Sequence, residues 1–169
     1  PRYLEGLYEL ASEDTISLCY PFAFNDAEPE KQLDNYKMML QYNKVYCDGK
    51  LPYQKARKFF SGPWMKLIHR RLIADRRFDI NFKNGEDSLF MFLISDEFKY
   101  VRFAPQDVCY YRRMRENSAY TRKRSVMNKF LNACSLITAF SKIYFRRMRH
   151  YNFTFYITRV LGACRSVLN

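Results

Sequence analysis

Two adjacent carboxylates, Glu86 and Asp87, are the side chains of this sequence best suited to proton transfer. They come after the turn dipeptide Asn84-Gly85 and precede the apolar run LFMFLI. An acidic residue at such a place commonly caps a helix, and spacing alone favours that interpretation. A carboxylate there also suits a general base, because the positive end of a helix keeps it ionised.

The segments around this pair must position it. The apolar run after Asp87 predicts a buried helix, which would hold the carboxylate in one direction. Residues 61–77 begin with Ser61-Gly62-Pro63 and continue at helical spacing, so we predict a helix with Pro63 in its first turn. RFDINF (77–82) is predicted to be short and extended, and two strands are predicted at KYVRFA (99–104) and DVCYYRRM (107–114).

The two ends of the chain carry different patterns. Apolar spacing in residues 1–13 predicts a helix whose stripe contains Leu4, Leu7, Tyr8 and Ala11. TISLCYPFAF (15–24) predicts a buried strand that Pro21 interrupts with a bend. Apolar residues between 130 and 168 predict two amphipathic helices with a break near His150–Asn152. Residues 25–52 carry no clear pattern.

Charge is distributed unevenly along the 169 residues. The net charge is +12, yet all 17 acidic residues precede Asn117, where they nearly balance the basic ones. Residues 117–169 contain ten Lys and Arg residues and no acid. A polyanionic partner is therefore predicted for the tail alone.

Metal and membrane signals are sparse. The five cysteines are widely spaced without a CxxC pair, and with only two histidines they argue against a zinc site, so we predict reduced thiols in the cytoplasm. No apolar run approaches the roughly 20 residues that cross a bilayer. No GxGxxG or P-loop pattern is present either.

Three segments in order carry a resemblance to a known family. PWMKLIHRRLI (63–73), GEDSLF (85–90) and YYRRMRENS (110–118) resemble the second half of a family 2 glycosyltransferase with the GT-A fold. PRYLEGLYELA and then TISLCYPF are similar to the segment directly after the aspartate-rich metal motif of that family. The resemblance covers residues 1–118, and the order of the motifs is more specific than any one of them.

The resemblance implies an α/β fold, α+β in truncated form: the acceptor-side half of a GT-A mixed sheet flanked by helices in residues 1–118. A basic pair of amphipathic helices in residues 119–169 would come next. No Asp-x-Asp motif is present, and Asp79-Ile80-Asn81 is the nearest sequence. We therefore expect the nucleotide-binding half and its divalent Mg or Mn ion to be missing, and this fragment alone to be inactive.

The resemblance also implies roles for individual residues in an inverting transfer from a nucleotide-sugar donor to a saccharide or lipid-linked acceptor. Asp87 would be the general base. Glu86, Trp64 and Lys66 would bind the acceptor, although Trp64 equally suits a core anchor and lysines are more often solvated. Arg113, Arg115 and Ser118 would bind the donor diphosphate, or else form the solvated face of a strand.

Three interpretations of the basic tail stay open. Its helices would pack on the domain, lie on an anionic membrane surface at the inner face of the membrane, or bind nucleic acid, with nucleic acid ranked last. The rival to an enzyme is accordingly a non-enzymatic basic module that binds through residues 119–169. The sheet edge exposed by a missing half predicts either a homo-oligomer or a repacked edge.

Overall fold

The computed structural model describes residues 2–114 and 125–168. It is a mixed α/β fold, which confirms the predicted class at that level. Its helices and strands are α1 (Tyr3–Tyr8), β1 (Thr15–Leu18), β2 (Tyr20–Asn25), α2 (Lys37–Val45), β3 (Leu51–Pro52), a 3-10 turn (Arg57–Phe59), β4 (Lys66–Leu67), α3 (Arg70–Ile73), α4 (Glu86–Leu93), β5 (Tyr100–Phe103), β6 (Cys109–Met114), α5 (Val126–Arg146) and α6 (Phe153–Leu168).

The strands form two small sheets. The first has the order β3-β5-β1-β4, with β1 and β5 parallel and the outer pairs antiparallel. The second pairs β2 with β6 in parallel. Both edge strands of the first sheet contain only two residues, which limits the backbone that another chain could pair with. Self-association through an edge stays a prediction.

The bend predicted at Pro21 is wrong. Residues 15–25 break at Cys19 instead, and Pro21 lies inside β2 opposite Tyr110. Because β2 pairs only with β6 in the described residues, one side of the strand is free of ladder bonds, and there the missing N–H of proline is tolerated.

The helix predicted from Pro63 is also wrong. Met65 has a φ of 58°, in the left-handed region that breaks a helix, and Lys66–Leu67 pairs with β1. The next helix, α3, has four residues and is capped by the ring of His69, which accepts from the Arg71 amide. The segment 77–82, predicted to be extended, forms no strand, and it turns at residues 80–81, where the Asp79 carboxylate accepts from the Asn81 amide.

The first helix is shorter than predicted and buries less of the predicted stripe. Leu7 is fully buried, whereas Leu4 and Tyr8 are 65% and 77% exposed. The predicted strands β5 and β6, the helix α4 after Gly85, and the break between α5 and α6 are confirmed.

The helix α4 is largely buried and packs against the tail. Phe92 of α4 contacts Phe140 of α5, Phe155 of α6 and Tyr151, at ring-centroid distances of 5.2 to 5.5 Å. Gly85 precedes α4 with a φ of 87°, and a methyl group on it would lie 2.6 Å from Leu136 Cδ1. Glycine is therefore required both for the turn and for the close approach of α5.

Polar contacts also join the tail to the rest of the chain. The Arg159 guanidinium donates to the carbonyls of Arg57 and Phe60 and to the Ser88 hydroxyl. Asp96, almost fully buried, pairs with both Arg76 and Arg147 at 3.1 Å. The inner faces of α5 and α6 thus pack on the domain. No helix among residues 2–114 and 125–168 has both the length and the apolar character of a membrane span.

Candidate functional site

The two acids lie in the first turn of α4, and neither is the cap residue. Gly85 occupies the N-cap position, so Glu86 and Asp87 are the first helical residues. Both side chains belong to the turn whose amides are left free at the positive end of the helix. The capping interpretation of Asp87 is therefore replaced by a first-turn position, and the side chain is available to other partners.

Gly62 brings the segment around Trp64 against Asp87. A methyl group on Gly62 would lie 2.9 Å from Trp64 Cδ1 and 3.3 Å from Asp87 Oδ2. The missing side chain is what lets the indole and the carboxylate share this space. The GPW and GED segments, which are distant in sequence, therefore meet at one point.

Strand β6 completes the site from a third direction. The Tyr110 ring lies 5.4 Å from the Trp64 ring, and Arg112 Cζ lies 4.6 Å from the centre of the Trp64 ring. A guanidinium stacked on an indole keeps its in-plane N–H groups free to donate to carboxylates and phosphates. Among the described residues, no hydrogen bond or ion pair of Arg112 is found.

Lys66 lies behind Gly62. Its ammonium donates to the carbonyls of Gly62 at 2.6 Å and Trp64 at 3.0 Å. Burial lowers the pKa of Lys66 to about 7, and the nearby charge of Arg159 acts in the same direction while Cys19 and Asp87 oppose it. Lys66 thus loses its proton more easily than an exposed lysine, and it holds the turn around Trp64.

Burial raises the pKa of Asp87, and the neighbouring charge of Glu86 raises it further, against the opposing effect of Lys66. A carboxylate whose pKa lies above the ordinary range is a better proton acceptor near neutral pH. Glu86 contributes a second feature, since its Oε2 is buried and accepts no hydrogen bond from the described residues. An unsatisfied buried acceptor suits a ligand hydroxyl.

We refer to Gly62, Trp64, Lys66, Glu86, Asp87, Tyr110 and Arg112 as the Asp87 cluster. It brings together four of the predicted site residues: Trp64, Lys66, Glu86 and Asp87. Sequence reasoning missed Tyr110 and Arg112. The strand period was the available signal, because residues 110 and 112 lie on the opposite face of β6 from 111 and 113.

The remaining predicted site residues lie elsewhere. Arg113 is exposed and forms a two-pronged ion pair with Asp26, just after the end of β2, with distances of 2.5 and 3.0 Å. It therefore faces away from Trp64. Arg115 and Ser118 lie outside the described residues.

The donor set of the cluster does not fit a divalent metal. No group of three or more His, Cys, Asp or Glu side chains able to hold an ion occurs in the described ranges. Glu86 and Asp87 supply carboxylates, yet Lys66, whose charge acts on Asp87, is a competing cation. We derive no step through a metal from these residues.

Replacing Lys66 by Met should flatten the pH dependence of stability. The unfolded chain binds the Lys66 proton up to pH about 10.5 and the folded chain only up to about 7, so stability should rise with pH between these values. We expect the parent chain to gain about 1–2 kcal/mol more than Lys66→Met between pH 7 and 9. Urea unfolding at pH 7 and at pH 9 measures this gain in the free energy of unfolding.

Lys58→Met is the matched control, because Lys58 is exposed on the neighbouring turn. It should retain the pH slope of the parent chain. An equal slope in the parent and in Lys66→Met would show that Lys66 is charged and solvated in the folded protein.

The chain matches no family model, no curated protein and no solved structure. The resemblance to family 2 glycosyltransferases therefore depends on the motifs of the chain itself. The structure adds the spatial arrangement of those motifs, which is a separate observation.

Proposed function

We propose that residues 1–118 are the acceptor side of an inverting GT-A glycosyltransferase of family 2, with Asp87 as the general base. The nucleoside of the donor and a divalent Mg or Mn ion would be held by residues that this chain does not contain, and only the donor diphosphate would contact this chain. The chain by itself would accordingly bind an acceptor without transferring a sugar. The unpaired state of all five cysteines supports placing this enzyme in the cytoplasm.

The observation that carries the proposal is the meeting of three motifs in one place. The segments GPW, GED and YYRR are separated in sequence, and each contributes a side chain to the Asp87 cluster. Each motif is loose on its own. Their convergence on one carboxylate, one indole and one stacked guanidinium supplies the groups that a sugar-transfer site requires.

The chemistry assigned to the cluster is a single displacement. The acceptor hydroxyl oxygen forms a bond to the anomeric carbon while the bond from that carbon to the phosphate oxygen breaks. The hydroxyl proton passes to an Asp87 carboxylate oxygen, and the nucleoside diphosphate leaves with the electron pair. Proton removal of this kind typically contributes about 10²–10⁴-fold to the rate.

The other members of the cluster would orient the acceptor. Trp64 offers an indole face for the C–H side of a sugar ring, and Glu86 Oε2 offers an acceptor for a neighbouring hydroxyl. Arg112, rather than Arg113, would stand toward the departing diphosphate, because it is the arginine that contacts Trp64. Lys66 would hold the turn that carries Trp64.

Acceptor binding can be tested directly on this chain, because Trp64 is its only tryptophan. We expect Trp64 emission to change saturably on titration with methyl hexosides or methyl N-acetylhexosaminides. Glu86→Gln should weaken the binding of the sugar that responds, since it removes a charged acceptor worth about 1–3 kcal/mol. Arg113→Gln, which changes an exposed residue paired to Asp26, is the control and should bind normally.

A second titration, with a nucleoside diphosphate in place of the sugar, probes Arg112. We expect the diphosphate to quench Trp64 emission in the parent chain and in Arg113→Gln, and to leave it unchanged in Arg112→Gln. The proposed site would be contradicted if no sugar changed Trp64 emission. It would also be contradicted if the response survived substitutions in the Asp87 cluster and was abolished by Arg113→Gln.

A further inference from the structure

The outward faces of α5 and α6 carry exposed apolar side chains. Seven large apolar side chains on them and on the turn between them are 52% to 65% exposed. They are Met127, Phe130, Leu131, Phe145, Met148, Phe153 and Leu161. We refer to these seven residues as the outer apolar face. A helix that packs on one side normally presents polar residues on the other, so this face calls for a partner.

The outer apolar face is separate from the surface that packs on the domain. In α5 the buried residues are Ala133, Leu136, Phe140 and Tyr144, which repeat at helical spacing. Phe130 and Leu131 lie on other positions of the same helix and are more than half exposed. The helix is thus apolar on two sides, and the described residues cover only one of them.

Two of the three aromatic residues of this face, Phe145 and Phe153, lie at the turn between the two helices. Phe145 and Phe153 both lie beside Tyr156, at ring-centroid distances of 5.9 and 6.4 Å. Met148 lies in the turn that connects the helices and is half exposed. The end of the helix pair at the C-terminus of α5 therefore forms an apolar tip.

Basic groups surround this tip. Arg146, Arg149 and His150 are exposed next to Phe145 and Met148, whereas Arg147 is engaged with the buried Asp96. No acidic residue occurs after Glu116 in the sequence. The surface thus combines exposed apolar groups with positive charge. The tail contains no acidic residue that could neutralise this charge.

We infer that the outer apolar face is a docking surface for an anionic lipid bilayer. Phe145, Met148 and Phe153 enter the boundary between headgroups and acyl chains, and Arg146 and Arg149 contact lipid phosphates. Helices of this kind bind by the apolar area they bury together with their attraction to anionic lipids. This surface is independent of the proposed sugar transfer, because the Asp87 cluster lies on other elements.

Charge complementarity favours the bilayer over the other candidate partners. A second copy of the chain that met the first tip to tip would place Arg146 and Arg149 of both copies together with no acid of the tail between them, which is repulsive. A nucleic acid would use the arginines and leave Met127, Leu131 and Leu161 in water. A lipid surface takes up the positive charge and the apolar side chains together.

The experiment is co-sedimentation of the 169-residue chain with vesicles. Neutral phosphatidylcholine vesicles are compared with vesicles that also contain phosphatidylglycerol, at low and at physiological ionic strength. The chain should bind the anionic vesicles at both ionic strengths and the neutral ones much more weakly. The double variant Phe145→Ser/Phe153→Ser should bind the anionic vesicles about tenfold or more weakly, as should Arg146→Gln/Arg149→Gln.

The matched control is Tyr8→Ser/Ile80→Ser, which removes two apolar residues at least as exposed, on segments other than α5 and α6. It should bind as the parent chain does, and circular dichroism of every variant should show unchanged helix content. Unchanged binding by Phe145→Ser/Phe153→Ser would overturn the inference, as would no vesicle binding by the parent. The inference would also be overturned if the parent chain bound no vesicles and instead self-associated, or bound duplex DNA, through Phe145 and Phe153.

Discussion

Replacing Asp87 by Asn is expected, under the proposed function, to reduce sugar transfer by about 10²–10⁴-fold in a protein in which this chain is joined to a donor-binding region. The amide keeps the size of the side chain and its place beside Gly62 and Trp64, yet it cannot accept the acceptor proton. Donor binding should be nearly unchanged, because Asp87 is assigned to the acceptor. Steady-state kinetics with a nucleotide-sugar donor, together with donor titration, measure the two effects.

The pH profile of the parent enzyme supplies a second check. Because burial and Glu86 raise the pKa of Asp87, activity should fall on acidification at a pH above the ordinary range of an aspartate. Glu86→Gln removes the neighbouring negative charge, so it should move that acidic limb to lower pH while retaining turnover. A near-normal rate in Asp87→Asn would show that another group removes the proton.

Replacing Phe155 by Ala should cost about 3–5 kcal/mol of unfolding free energy, the range for a buried aromatic residue reduced to Ala. Phe155 is fully buried, and its ring contacts Tyr53, Phe60 and Phe92. These rings belong to α4 and to the segment between β3 and β4, so the loss should destabilise the whole molecule. Urea unfolding monitored by Trp64 fluorescence reports it, since Trp64 lies far along the chain from Phe155.

Phe153→Ala is the control, because it makes the same change two residues away on the same helix. Phe153 is 61% exposed, so its loss should alter stability by less than about 0.5 kcal/mol. Equal effects of the two substitutions on Trp64-detected unfolding would contradict the packing of α6 on the domain. The pair also separates stability from the inferred membrane binding, to which Phe153 and not Phe155 would contribute.

The segments predicted correctly are those whose local pattern is strong. An apolar run after Asn84-Gly85 predicted α4, and residues with high strand preference predicted β5 and β6. The 3.6-residue period of the tail predicted α5 and α6 and the break between them. The second half of α4 is buried all round, and α5 buries one face against the core, so for these helices local preference and tertiary packing agree.

The errors occur where long-range pairing overrides local preference. Lys66–Leu67 has helical neighbours in sequence, yet it joins β1 as a strand, and Met65 takes a left-handed conformation to allow this. Pro21 indicates a bend by its type, yet β2 has only one partner among the described residues and tolerates it. Pairing partners tens of residues away are invisible to a window of a dozen positions.

Local signals in the sequence were enough to place Glu86 and Asp87 at the start of a buried helix, because a turn dipeptide precedes them and an apolar run comes after them. The accumulation of positive charge after Glu116 is likewise a property of the sequence. Tertiary packing, by contrast, stacks Arg112 on Trp64, pairs Arg113 with Asp26, and buries Lys66 enough to give it a pKa of about 7. The direction and burial of a side chain depend on neighbours that the fold brings from distant segments. The residue type alone therefore does not determine them.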